Sequence, residues 1–61
     1  MNLVTTPNLP DPDALYAELA AAHRGLRPAE SAALNSELVL ILANHIGDAE
    51  VVRAALALAR A

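Results

Sequence analysis

Apolar positions recur along this chain at helical spacing in three segments, each bounded by a glycine or an acidic cap. In the first, Leu15, Leu19, Ala22 and Leu26 follow at intervals of four, three and four, with Tyr16, Ala20 and His23 alongside. Asp11 suits the N-cap, Pro12 the first helical position and Asp13 the first turn, while Gly25 is a natural stop. The pattern predicts a helix from Pro12 to about His23 or Arg24. The second segment has Pro28 at its first position, Glu30 two residues on, and Gly47 as its stop. A helix reaching Ile46 would span about 28 Å at about 1.5 Å per residue. Arg27 is a poor cap for it, because Ser or Asp would serve better. In the third segment Asp48 is the cap. Val51, Val52, Ala55, Leu56, Leu58 and Ala59 share one face, and Arg53 and Arg60 point elsewhere.

The central segment carries the most information. On a helical wheel Leu34, Leu38, Ile41, Leu42 and Ile46 form one broad face with Val39 at its edge, whereas Leu40 lies well away, near Glu37 and Asn44. Apolar residues around most of a helix call for burial on several sides. Two short neighbouring helices cannot supply that cover, so a second copy or a larger partner is expected against it. His45 falls near the middle of the broad face and is expected to be hydrogen-bonded inside the core or an interface. Asn35 falls between Leu42 and Ile46, where a buried amide would fix register and partner number; the alternative is a partly exposed side chain.

Residues Met1 to Pro10 carry no charged side chain and include Pro7 and Pro10, with Pro12 just beyond. Proline fixes φ and disfavours helix before it, so this arm is expected to be extended. Leu3, Val4 and Leu9 give it an apolar side that either folds over its own helices or grips a partner. The expected architecture is all-α: an extended arm over residues 1–10, then a single three-helix up-down domain over 11–61 with a long apolar central helix.

Composition narrows the function. The chain has 61 residues, 56% of them hydrophobic, dominated by 15 Ala and 11 Leu, with Tyr16 the sole aromatic. So short a chain gains little more from burial than it loses on ordering, and without cysteine no disulfide or thiolate-bound zinc can support it. Oligomerisation, a partner or very efficient helix packing remains. The formal net charge is −3, Lys is absent and the four Arg are scattered, which argues against nucleic acid as a partner. The N-terminal stretch lacks the basic and apolar regions of a secretory signal, and the longest apolar run, Leu38 to Ala43, is far short of a membrane span. A cytoplasmic location and no membrane partner are expected.

Candidate chemistry is sparse. Asp11, Asp13, Glu30, Asp48 and Glu50 all read as helix-start residues, and Glu18 and Glu37 are isolated. Ser31 and Ser36 have no nearby base in sequence, and both glycines are spent as helix stops rather than in a phosphate loop. His23 and His45 lie about four turns apart in a simple hairpin, too far for one metal. No catalytic residue, cofactor or metal is expected. The turn between the second and third helices invites comparison with a helix-turn-helix, but Arg53 and Arg60 offer too few contacts for base recognition. A small DNA-binding regulator is one alternative. A small-molecule carrier with a pocket around Leu38, Leu42 and His45 is another.

Three stretches, Pro10-Asp11-Pro12-Asp13, Ala33-Leu34-Asn35 and Leu42 to Asp48, resemble a family of short bacterial proteins, domain of unknown function 2783. The resemblance runs from about Asn8 to Arg60 and departs at Arg27-Pro28, where a capping Ser or Asp would be expected. It implies a compact helical protein with no established activity and no functional residue to carry over. It further implies an accessory subunit beside a flavin-dependent aromatic hydroxylase. The expected function is therefore a non-catalytic helical interaction protein that self-associates or docks on a larger enzyme. Its expected contact surface is Leu3 and Leu9 on the arm, Tyr16 on the first helix, and Leu34, Asn35, Leu38, Leu40, Ile41, Leu42, His45 and Ile46 on the second.

Overall fold

A computed structural model describes all 61 residues and contains three helices, α1 (Pro12–His23), α2 (Pro28–Ile46) and α3 (Ala49–Arg60), with no strand. The boundaries follow from the caps. Asp11 Oδ1 accepts a hydrogen bond from the Ala14 N–H at 3.1 Å, and Pro12 sits where a missing N–H costs nothing. The end of α1 tightens through bonds from Arg24 N–H to the Ala21 carbonyl and from Leu26 N–H to that of His23, both at 3.2 Å. Gly25 then takes φ 76°, a left-handed turn.

Arg27 precedes α2 without a side-chain cap, since a guanidinium has no acceptor to offer. Glu30 supplies the other half of the motif: its Oε1 accepts from the Arg27 N–H at 2.9 Å. At the far end Gly47 adopts φ 68° and donates its N–H to the Ala43 carbonyl at 3.0 Å. Asp48 opens α3 at once, accepting at Oδ1 from the N–H groups of Glu50 at 2.9 Å and Val51 at 3.4 Å.

Every backbone hydrogen bond is local, lying either within a helix or at its cap or turn. No backbone bond ties one helix to another, so tertiary structure rests on apolar contact. Only α2 and α3 pack extensively on each other. Val51, in the first turn of α3, is the one buried residue at 7% exposure. The arm, which has neither helix nor strand, returns to this region: Leu3 is half-buried and the Met1 amine lies 3.9 Å from Asp48 Oδ2. That pair is the single ionic contact between distant segments and, largely exposed, contributes little.

The result is an open molecule. Its accessible surface is 5370 Å², against about 3,700 Å² for a compact monomer of its mass. Its radius of gyration is 13.1 Å, where a compact chain of this length would have about 10.5 Å. No helix is long and apolar enough to cross a membrane.

The α2–α3 turn should respond sharply to substitution. A Cβ on Gly47 would meet nothing closer than the Asn44 carbonyl oxygen at 3.9 Å, so Gly47→Ala carries backbone strain alone, about 1–2 kcal/mol. Asp48→Ala removes a helix cap and is expected to cost about 1 kcal/mol, whereas Asp48→Asn keeps the acceptor and should cost little. Chemical denaturation at one fixed protein concentration measures all three.

Candidate interaction surface

Successive residues of an α-helix are rotated by about 100°, so Leu40, Ile41 and Leu42 point to three different sides of α2. They are 66%, 61% and 50% exposed respectively. Neither α1, α3 nor the arm covers any of those sides fully. This is the physical content of the apolar pattern around α2: the chain presents a long helix whose leucines and isoleucines face water on most of its circumference.

The surface divides by what lies next to it. Leu34 and Leu38 are half-buried, as is Ser31 on the same side of the helix. Leu42 and Ile46, with Val39 and Ala43, form one wall of an open groove; Val52, Ala55, Leu56 and Ala59 of α3 form the other. All eight are apolar, and no side chain of α1 or the arm enters the lining. Its volume is about 280 Å³. A larger depression at the α2–α3 turn, about 540 Å³, shares Ala43 and Val52 with the groove and is also lined by Asn44, Asp48 and Arg53. There Asp48 is already engaged as the cap of α3.

The remaining residues of the expected surface are scattered. Leu9 is exposed on the arm and Tyr16, at 75% exposure, stands out from α1. Asn35 is exposed on α2. His45 is exposed and its side chain makes no hydrogen bond within the chain, which corrects the core alternative of the expectation and leaves the interface alternative. The physical reason is that too little chain is available to cover the middle of the α2 face. His23 is instead the half-buried imidazole. Of Leu38, Leu42 and His45, the set around which a pocket was expected, Leu42 alone lines the α2–α3 groove.

The α3 wall of the groove lay outside the expected contact surface. Its signal was nonetheless present, since Val52, Ala55, Leu56 and Ala59 share the apolar face of the most clearly two-sided helix in the chain. What the pattern could not convey is that this face is only partly used against α2.

Polar chemistry near the helices is local. Ser36 Oγ donates to the Ala32 carbonyl at 3.0 Å, a bond within its own helix. No group of three or more His, Cys, Asp or Glu side chains converges. Glu30 is the one carboxyl clearly perturbed: the hydrogen bond from the Arg27 N–H, and then the one from its guanidinium 3.4 Å away, hold it below its ordinary value of 4.5.

A family model described as protein of unknown function (DUF2783) matches residues 3–61, nearly the whole chain. The chain belongs to this family. No curated protein and no solved structure matches it. Membership in DUF2783 agrees with the resemblance carried by the Pro-Asp-Pro-Asp and Asn-His-Ile-Gly-Asp stretches, and it brings no assigned site.

The lowered Glu30 carboxyl predicts a pH dependence. A group depressed in the folded state stabilises above its unfolded pKa, and that contribution is lost as pH falls through the folded value. Glu30→Gln keeps an acceptor for the Arg27 N–H but removes the charge. Its thermal midpoint should lie slightly below wild type at pH 7, and the gap should close as both are acidified through the lowered pKa of the folded Glu30 carboxyl.

Proposed function

We propose that this protein is a non-catalytic, cytoplasmic helical interaction protein that works by offering α2, together with the groove α2 shares with α3, to another protein surface. The observation that supports this most directly is the exposure of Leu40, Ile41 and Leu42 on three sides of one helix. An isolated soluble domain exposes single apolar residues without consequence, but contiguous apolar surface on this scale marks a binding face. A chain with 5370 Å² of accessible surface gains most of its stability by hiding part of it. Docking as an accessory subunit on a larger enzyme and association with a second copy use the same surface.

The polar inventory supports the non-catalytic part of the reading. The carboxylates at helix starts and the serine bonded within α2 are explained by local structure. The exposed His45 has neither an acid to orient it nor a nucleophile bonded to it, the pairing that general-base catalysis needs.

Light scattering coupled to size-exclusion chromatography, with a hydrophobic fluorescent dye in parallel, tests the proposal on the untagged chain across a concentration series. Either self-association or a monomer that binds dye strongly is expected. A tight monomer that unfolds cooperatively and binds no dye would overturn it.

A further inference from the structure

We infer that the groove between α2 and α3 receives a second copy of this chain, two α2–α3 pairs closing on each other as a four-helix bundle. This rests on the interaction reading above and adds the occupant and the face. Area is the first argument. The chain exposes about 1,600 Å² more than a compact monomer of its mass would. A stable interface of ordinary size takes about 800 Å² from each partner, and obligate homodimers take more. The surplus is large enough for either, and Val39, Leu42 and Leu56 in the groove contribute to it with half or more of their surface exposed.

Charge is the second. A two-fold interface brings the same patch from both protomers together, so charge at its centre would meet like charge. The chain carries a net −3, yet both walls of the groove are uncharged. On α2, Glu30 and Glu37 lie on the far side from Val39 and Ile46; on α3, Arg53 and Arg60 flank the groove wall rather than line it. Copies of an acidic protein can therefore meet here without repulsion at the contact. A strongly charged partner would find nothing on the walls to pair with.

Spacing is the third. Asn35, Val39, Leu42 and Ile46 follow at intervals of four, three and four, the seam by which one helix packs along another. The occupant is accordingly a helix. Asn35 is the one polar residue in this seam, and it is exposed in the single chain. Facing its counterpart, such an amide fixes register and copy number.

The test compares the full chain with Val39→Glu, Leu56→Glu and, on the exposed far side of α3 outside the groove, Ala57→Glu, by light scattering across a concentration series with circular dichroism as the check on helix content. The wild type and A57E are expected to be dimers. V39E and L56E, which bury an unpaired charge twice in a symmetric contact, are expected to weaken association at least about 100-fold. Should either charged variant lose its helices, Val39→Ala is read instead, with association expected about ten-fold weaker. A dimer indifferent to the groove variants, or broken equally by A57E, overturns the groove assignment while self-association stands. A wild-type monomer overturns the second copy. If that monomer binds dye the interaction reading survives, and if it is tight and dye-free both fall.

Discussion

A 19-residue helix carries leucines and isoleucines on several sides, and the chain around it leaves Leu40, Ile41 and Leu42 exposed. The rest of the structure depends on this constraint. A helix hides one stripe against each neighbour, and α2 has one extensive neighbour, α3. Leu34 and Leu38 are half-buried but not sealed. With every backbone hydrogen bond local and one weak ion pair between distant segments, apolar contact is the principal force holding the helices relative to one another. That force is only partly satisfied inside a single copy.

The local devices, by contrast, are complete. Asp11 and Asp48 cap their helices through side-chain oxygens, Glu30 substitutes for the acceptor that Arg27 lacks, and Gly25 and Gly47 take the left-handed conformations that end α1 and α2. Well-defined helices joined by tight turns and an unfinished core are a coherent combination for an interaction protein. The acidic and basic side chains belong to the helix ends and far faces, which keeps the α2–α3 groove free of charge.

Much of the local structure is legible in the sequence, because helix periodicity and cap residues are short-range signals. The unusual apolar breadth of α2, with Leu40 displaced from Leu34, Leu38 and Ile46, follows from counting around a wheel. His45 shows where such reading stops. Its position in the middle of an apolar face implies burial, yet burial depends on what lies opposite, and nothing in the chain does. Tyr16 was rightly placed beside the α1 stripe, but how far it stands out depends on how loosely α1 sits against the rest. The expected contact surface, drawn from the arm, Tyr16 and α2, did not include the α3 wall of the groove. Val52, Ala55, Leu56 and Ala59 look like an ordinary core-facing stripe until the width of the α2–α3 groove shows them still open.

The sequence by itself determined the three helices, their ends and the absence of strands. Prolines, carboxylates and glycines act on φ, ψ and hydrogen bonds within a few residues of themselves, so their effect does not wait for the fold. It also determined that α2 carries more apolar surface than two short helices can hide. Only the tertiary structure decided which part of that surface stays open. The choice depends on the tight Gly47–Asp48 turn setting α3 beside Ala43, on the arm returning to Asp48, and on α1 being left without extensive packing. Those are distances between segments far apart in the chain, settled by the balance of apolar contacts, and no local pattern encodes them.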